Sequence, residues 1–233
     1  MITAYALIIL PVITGVISLF ISSERVRRNL LIIVAFIHLF MSILLCNGSA
    51  GELNGIWIGL DALSRLFLVI TSLLFTGSAT YSMVYLDKHP HFNGPAIAGL
   101  RMPGNSNAIF AACMQLFLSA MSLAILSTHF GLQWIGIEAT TLASTPLIYY
   151  HRNRRSLEAA WKYFILGSVG IGLALFGTIL VYMAALPVVG EGIGGMVWTV
   201  LLTHAARLDP ALINLAFVFL LLGYGTKVGL APL

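Results

Sequence analysis

Three charged residues lie inside long apolar segments of this sequence, and their types suit proton transfer. They are Glu138, Lys162 and Lys227. A charged side chain in the middle of a lipid bilayer costs at least roughly 2.5–3.5 kcal/mol, so such groups persist where protein or water surrounds them. A buried carboxyl or amine also changes its proton affinity when a neighbouring charge or its solvation changes. The pattern therefore indicates groups that take up and release protons.

Glu138 lies in an apolar stretch that becomes polar on its C-terminal side. It is about eight residues from the predicted outer end of its span, which is roughly 12 Å at 1.5 Å per residue. Pro146 removes a helical hydrogen bond and should kink the helix. The alternative is a protonated glutamate that is silent between helices. The polar flank consists of Thr140, Thr141, Ser144 and Thr145.

Lys162 lies one to two turns inside the opposite boundary of the next apolar segment, four residues after Glu158. A glutamate on the N-terminal side of a lysine at this spacing is the favoured orientation of a helical ion pair. The alternative is that Lys162 extends to the membrane surface and only pairs with Glu158.

Lys227 follows an apolar run and is surrounded by glycines. Gly225 and Gly229 weaken a helix by about 1 kcal/mol each relative to alanine, and Pro232 cannot continue it. We expect Lys227 at a break or loosened turn that faces protein, where water or side chains solvate the freed carbonyls. The alternative is a lysine that extends from a helix terminus to the membrane surface.

Weaker candidates have simpler explanations. His38 lies in the middle of a predicted span and could relay protons, although a lone histidine is more often a hydrogen-bonded core residue. Asp61 and Arg65 form an i,i+4 pair at a helix mouth and are expected to be structural. Cys46 and Cys113 are isolated, so neither a disulfide nor a metal site is expected. No nucleotide-binding or hydrolase motif occurs, and no cofactor is expected.

Composition shows that membrane helices carry these residues. The sequence is 59% hydrophobic and 9% charged, with a mean hydropathy of +0.98, whereas a soluble domain has about 25% charged residues. The formal charge of +4 reflects short basic loops rather than nucleic-acid binding. Seven stretches have the roughly 20 apolar residues that a transmembrane helix needs, which predicts an all-α polytopic membrane protein. They run over about 2–22, 30–46, 61–86, 107–127, 130–150, 157–184 and 211–231.

Basic residues determine the predicted orientation. The odd-numbered loops carry eight of them and the alternate loops carry only Arg207, which places the N-terminus outside. We expect irregular structure over residues 87–106 and a short interfacial helix near Trp198. Asp61 and Asp209 should cap the third and seventh spans. The eight basic residues are Arg25, Arg27, Arg28, Lys88, Arg101, Arg152, Arg154 and Arg155, and the expected packing glycines are Gly167, Gly170, Gly172 and Gly177.

Three segments resemble the antiporter-like proton-pumping subunits of respiratory complex I and its relatives. The sequences Glu138-Ala-Thr-Thr and Leu157-Glu-Ala-Ala-Trp-Lys-Tyr are most similar to the hydrogenase-4 component F branch. That branch belongs to membrane-bound group 4 nickel-iron hydrogenases and formate hydrogenlyase-like complexes. The resemblance covers about residues 61–233, and residues 1–60 match only in general character. The segments are Trp134 to Pro146, Leu157 to Tyr163 and Gly225 to Pro232.

The resemblance implies a fold and residue roles. Family members have about fourteen helices, including two inverted repeats of five, so this chain would be an N-terminal half ending at Leu233 in a broken seventh helix. It would be a fragment or a truncated gene product and should not pump alone. Glu138 and Lys162 match a pair that tunes the proton affinity of the lysine, and Lys227 matches a further lysine on the path. The implied units are 1–60 (helices 1 and 2), 61–106 (helix 3 and a cytoplasmic loop) and 107–233 (an incomplete first repeat).

The implied partners are other membrane subunits, a redox module and the lipid bilayer of a prokaryotic inner (plasma) membrane, with no nucleic acid. The implied cargo is protons, with sodium as the alternative. A subunit of a multi-subunit sodium/proton antiporter has the same fold and charged residues and stays open. A retinal protein is disfavoured because the third span has no mid-span carboxylate and Pro232 follows Lys227. An inert membrane scaffold is a third alternative.

Overall fold

The computed structural model describes residues 2–47, 53–88 and 106–230, and this part of the protein is almost entirely helical. The predicted all-α fold class is confirmed. A short hairpin pairs β1 (Leu53–Asn54) with β2 (Gly59–Leu60), and 3-10 turns cover Ile193–Met196 and Ala205–Arg207. The helices are α1 (Ile2–Phe20), α2 (Glu24–Asn47), α3 (Ala62–Lys88), α4 (Ser106–Leu126), α5 (Phe130–Ile148), α6 (Arg154–Val189), α7 (Trp198–His204) and α8 (Pro210–Val228).

Six of the described helices are long and apolar enough to cross a membrane, namely α1, α2, α3, α4, α6 and α8. They do not include α5, whose 19 residues contain Gln133, Glu138 and several hydroxyl side chains. The total of seven membrane helices therefore stays a prediction. Helix α6 has 36 residues, about 54 Å at 1.5 Å per residue. It is longer than the roughly 30 Å hydrocarbon core, so it extends beyond it.

Local sequence signals determine where several helices begin. The Asp61 carboxylate accepts a hydrogen bond of 2.7 Å from the Ser64 N–H and caps α3. The Asp209 carboxylate accepts a bond of 2.8 Å from the Ala211 N–H and caps α8, with proline at the first helical position. Both predicted caps are confirmed. Of the expected irregular stretch 87–106, residues 89–105 lie outside the described part of the chain.

Side-chain contacts place the start of α2, the end of α3, the start of α4 and the end of α5 at one end of the bundle, here called the basic end. The Asn107 amide donates to Glu24 at 3.4 Å, and the Tyr150 hydroxyl donates to Asn107 at 2.8 Å. The Tyr85 hydroxyl lies 3.0 Å from Nε2 of His151. At the opposite end, Trp57 stacks on His129 with ring centroids 4.8 Å apart. The predicted short helix near Trp198 is present there as α7.

Arg27 requires a correction to the loop assignment. It was counted among the loop cations, but it lies in the first turn of α2 and is only 3% exposed. Its guanidinium donates to the carbonyls of Ser18, at 3.1 Å, and Ile21. A cation at the C-terminal end of a helix is favoured by the helix dipole. Arg27 therefore joins α2 to α1. Arg25 and Arg28 also lie in α2, so the basic residues assigned to the first loop belong to the start of the second helix, and the orientation stays a prediction.

Small residues allow α6 and α8 to pack closely along much of their length. A Cβ atom built on Gly170 would lie 2.0 Å from Oγ1 of Thr226, and one on Gly223 would lie 2.4 Å from the backbone nitrogen of Ala174. Such contacts let helix backbones approach in a membrane. The prediction of packing glycines is confirmed for Gly167, Gly170 and Gly177. It is wrong for Gly172, which is exposed and has no described atom within 4 Å of a built Cβ.

Candidate functional site

The carboxylate of Glu138 lies between α5 and α6. Its Oε1 accepts a hydrogen bond of 2.9 Å from the Ser168 hydroxyl on α6. Its Oε2 is buried and has no hydrogen-bond partner among the described residues. A buried carboxylate oxygen without a partner is costly, so this atom is suited to hold a proton or to accept a bond from water.

Lys227 lies in the last turn of α8 and its ammonium points to the junction of α5, α6 and α8. Its Nζ donates to the hydroxyl of Thr141, a fully buried residue of α5. A Cβ on Gly167 of α6 would lie 3.4 Å from this Nζ. The ring centroid of Tyr163 is 6.0 Å away, at the outer limit of a cation–π contact. Lys227 therefore faces protein. There is room for its ammonium because residue 167 of α6 is a glycine, and a Cβ atom there would lie 3.4 Å from it.

Glu138 and Lys227 belong to the same junction. Thr141, which receives the lysine, is one helical turn after Glu138, and Ser168, which binds the glutamate, directly follows Gly167. Their opposite charges therefore lie on the same junction of α5, α6 and α8. Within the described residues no salt bridge joins them, so hydroxyl groups and any intervening water carry the hydrogen bonding. Sequence analysis did not pair these two residues.

Lys162 is held elsewhere. Its ammonium bonds to Glu158 on an outward face of α6, with 67% and 64% of the two side chains exposed. Six residues separate Lys162 from Ser168, which is about 9 Å along the helix and 120° around it. Within the described residues no salt bridge joins Glu138 to Lys162, and their predicted approach stays a prediction. The i,i+4 pairing with Glu158 is present as expected.

The end of α8 follows from its glycines. Gly229 adopts a left-handed conformation, with φ 73° and ψ 38°, that favours glycine. The N–H of Leu230 donates to the carbonyl of Gly225 at 2.9 Å, a bond typical of helix C-termini. The helix thus ends directly after Lys227. The expected break at Pro232 lies outside the described residues.

Tyr163 was missed by the sequence analysis. Its hydroxyl lies 2.9 Å from Oγ of Ser144 on α5, and its ring faces the Lys227 ammonium. It also directly follows Lys162 in the chain and lies one turn before Gly167. The four-residue spacing of Tyr163 and Gly167 could have identified Tyr163 as a residue of the junction, because residues four apart lie on the same face of a helix.

The supporting candidates have separate positions. His38 is fully buried and bonded to Ser72 and Ser122, far along the sequence from the α5–α6–α8 junction. Asp61 acts as an N-cap, and bonds from the Ser64 side chain and N–H hold the pKa of its carboxyl below the ordinary value. The N–H of Arg65 donates to the Asp61 carbonyl at 3.1 Å, which places Arg65 in the same first turn of α3.

Known proteins resemble this chain in sequence. Residues 127–233, which contain Glu138, Lys162 and Lys227, match the family described as NADH:quinone oxidoreductase/Mrp antiporter, TM. Over 99% of its length the chain is 38% identical to the hydrogenase-4 component F homolog of Methylacidiphilum infernorum. Over 79% of its length it is 28% identical to NADH-quinone oxidoreductase subunit N of Neisseria gonorrhoeae.

Solved structures share the fold. A chain of respiratory complex I from Thermus thermophilus with bound aureothin superimposes with a TM-score of 0.73, at 20% identity, over 98% of this chain and 44% of that one. A chain of an archaeal membrane-bound sulfane sulfur reductase gives a TM-score of 0.70 over 95% and 44%. The chain spans about half the length of the hydrogenase-4 relative, 47%, and less of the other. Residues 127–233 of the chain therefore form a domain of the family described as NADH:quinone oxidoreductase/Mrp antiporter, TM.

Proposed function

We propose that this chain is part of a proton-translocating membrane-arm subunit of a redox-driven complex, and that Glu138 and Lys227 carry the proton through the α5–α6–α8 junction. The observation that carries this proposal is the placement of two opposite charges on one protein-lined junction. Ser168 holds one and Thr141 holds the other. Opposite charges in a membrane interior are expected where ions or protons pass.

Each charge controls the proton affinity of the other. A carboxylate near a lysine favours the ammonium form, and an ammonium near a glutamate favours the carboxylate form. When a charge supplied by the rest of the complex weakens this attraction, an N–H bond of Lys227 breaks and its proton passes to water or a hydroxyl. The unpartnered Oε2 of Glu138 is then a site where a proton can be held. Lys227 is reprotonated when the attraction returns.

Lys162 has a different proposed role, at the membrane boundary. Its exposed pair with Glu158 lies within the first turns of α6, the helix that is longer than the hydrocarbon core. A solvent-accessible pair there exchanges protons with the aqueous phase. Tyr163 lies next to this pair in sequence and faces Lys227. We infer that protons pass between the boundary and the junction along this face.

The assembly is also part of the proposal. The named relatives are hydrogenase-4 component F and subunit N of NADH-quinone oxidoreductases, and residues 107–233 would be an incomplete first repeat. The partners are other membrane subunits and a redox module in a prokaryotic plasma membrane, with the N-terminus outside. The second candidate, a sodium/proton antiporter subunit, is favoured by the family description itself, which includes the Mrp antiporter. Sodium-dependent translocation would identify it.

The test compares Glu138→Gln with Glu158→Gln in the complete protein within its complex, in sealed vesicles. Both changes remove one carboxylate, but only the first lies at the junction. Glu138→Gln should lower proton translocation about tenfold or more, the scale of losing a proton-transfer group, while the driving redox reaction continues. Glu158→Gln should lower it much less. Wild-type translocation by Glu138→Gln would refute the proposed function.

A further inference from the structure

His38 is a contact point for four helices in the N-terminal part of the bundle. Its ring belongs to α2 and is fully buried. Its Nδ1 lies 2.9 Å from the Ser72 hydroxyl on α3, and its Nε2 lies 2.9 Å from the Ser122 hydroxyl on α4. The carbonyl of Leu7 on α1 also interacts with the ring. Both ring nitrogens therefore have a hydroxyl partner.

Counting protons shows that this site suits two charge states. The Ser72 hydroxyl also lies 2.7 Å from the carbonyl of Leu68, and the Ser122 hydroxyl 2.8 Å from that of Leu118. A serine has one proton to donate, and a neutral imidazole has one N–H and one acceptor nitrogen. With neutral His38, one serine accepts from the ring while the other donates to it.

A second proton on the ring changes only hydroxyl orientations. Both ring nitrogens then donate, both serines accept, and each serine donates to its own helix carbonyl. Every group has a partner in both states, and no heavy atom moves. A histidine that only joined helices would need one of these states, whereas this cage satisfies both.

Apolar layers close the site on two sides. Leu118 and Leu126 lie four residues before and after Ser122, each about 6 Å from it along α4. Both are fully buried. Proton exchange therefore requires a layer one turn thick to open. One layer contains Ala4, Leu7, Leu45, Ile58, Leu60, Leu68 and Leu126, and the other contains Leu31, Ala35, Phe75, Ala79 and Leu118.

An open cavity of about 530 Å³, lined partly by exposed residues of α3 such as Tyr81, lies on the basic-end side of the second layer, between α3, α4 and the end of α5. Polar groups at its basic end include Tyr85, Tyr150 and His151. On α4 its lining includes Met114, which lies on one helix face with Leu118 and Ser122 at four-residue spacing. Leu118 thus occupies the single turn of α4 between the cavity and the site formed by His38, Ser72 and Ser122.

We propose that His38, with Ser72 and Ser122, is a second proton-loading site, supplied through this cavity when the layer at Leu118 opens. The serine that donates to the ring turns its hydroxyl to its own helix carbonyl, and a proton from water then binds the ring nitrogen that it leaves. The N–H on the other side of the ring releases its proton to water when the other layer opens. The serine hydroxyls then rotate to reset the tautomer. The described contacts of the ring, from α1, α3 and α4, include no charged or titratable group, so loading adds one net positive charge. This inference rests on the proposed proton translocation.

The test uses His38→Gln in the complete protein within its complex. Glutamine can accept from one serine and donate to the other, as neutral histidine does, but it cannot take the extra proton. Proton translocation should fall about tenfold, the scale of losing a proton-transfer group. The matched control is Thr76→Val, because the buried Thr76 hydroxyl bonds only to the carbonyls of Ser72 and Ala35. It should leave translocation unchanged.

A direct readout is nitrogen NMR of the histidine-labelled complex, with the His38 signals assigned by their loss in His38→Gln. They should change from the neutral to the doubly protonated form within about pH 4–8. Ser72→Ala and Ser122→Ala should shift the pH at which this transition occurs. These two variants provide the test if His38→Gln fails to assemble. One fixed protonation state over this range, or wild-type translocation by His38→Gln, would overturn the inference. Normal pumping by Glu138→Gln instead refutes the proposed function, whatever the state of His38.

Discussion

Buried polar groups in α1–α4 differ in kind from those at the α5–α6–α8 junction. Deep in α1–α4 they are neutral, consisting of hydroxyls, the Gln115 amide and His38, and the cation Arg27 lies at the basic end. At the junction the fully buried Thr141 lies beside two partly buried residues of opposite charge, Glu138 and Lys227. Neutral groups can be satisfied by a helix carbonyl, as Ser72 and Ser122 are. Charges need a hydrated or protein-lined gap.

The two regions also pack differently. The α6–α8 contact depends on glycines whose missing side chains leave backbones in contact, whereas the layers around His38 are filled by leucine and phenylalanine. A contact without side chains cannot adapt to added volume, because a backbone atom cannot change rotamer. The junction should therefore tolerate larger side chains less well than α1–α4 does. The effects of substitutions should reveal this difference between the two regions.

The largest effect is expected for Gly223→Val. Its Cβ would lie 2.4 Å from the backbone nitrogen of Ala174, so α8 must move away from α6. Overpacking typically costs 1–3 kcal/mol, and a clash with backbone belongs at or above the top of that range. We expect loss of the assembled protein, measured as yield and thermal unfolding in detergent.

The matched control for that substitution is Gly172→Ala on α6. No described atom lies within 4 Å of its built Cβ, and alanine favours a helix over glycine by about 1 kcal/mol. Its melting temperature should equal or exceed that of the wild type. A normally assembled Gly223→Val protein would show that α6 and α8 are not in close contact.

A smaller effect, on transport rather than folding, is expected for Lys227→Ala compared with Lys162→Ala. Lys227 is held by Thr141 inside the junction, whereas Lys162 forms an exposed pair, and exposed i,i+4 pairs contribute only about 0.3–0.5 kcal/mol. Lys227→Ala should reduce proton translocation about tenfold or more, with assembly kept. Acidification of sealed vesicles during turnover measures this.

Lys227→Arg sharpens the same comparison. Arginine keeps the positive charge but does not release its proton in proteins, so it should fail as alanine does. Lys162→Ala should retain most of the activity. Equal losses at both lysines would mean that the boundary pair and the junction are equally required, which contradicts the separate roles proposed above.

Features that depend on neighbouring residues could be predicted from the sequence, whereas contacts between helices could not. The helices and the caps at Asp61 and Asp209 depend on neighbouring residues, so they were predictable. Which helix faces meet depends on packing across the bundle. The partners of His38 come from segments 34 and 84 residues away.

The pairing of Glu138 shows the same limit. Depth in the membrane favoured Lys162, but rotation around α6 turns that lysine outward, and the glycine contact of α6 with α8 brings Lys227 in instead. Arg27 was misplaced for a related reason, because the turn from α1 to α2 is short enough to place its side chain against the end of α1. Rotation and turn geometry are tertiary properties that charge counts do not contain.

The smallest effect concerns Asp61, a carboxylate of the N-terminal region that caps α3 and is expected to be structural. Bonds from Ser64 lower the pKa of its carboxyl in the folded protein, so the ionised form stabilises α3. This contribution is complete above the unfolded pKa, about 3.9, and is lost as the pH falls through the lower folded pKa.

Asp61→Asn keeps an equally good cap but cannot ionise. It should lose only the helix-dipole interaction, about 0.3–1 kcal/mol at low salt, and less at high salt because the side chain is exposed. Thermal unfolding should therefore show the wild type slightly more stable at pH 7, with the difference closing below about pH 4. A stability difference that stays constant from pH 7 to pH 3, or a loss of proton translocation in Asp61→Asn, would show that this carboxylate does more than cap α3.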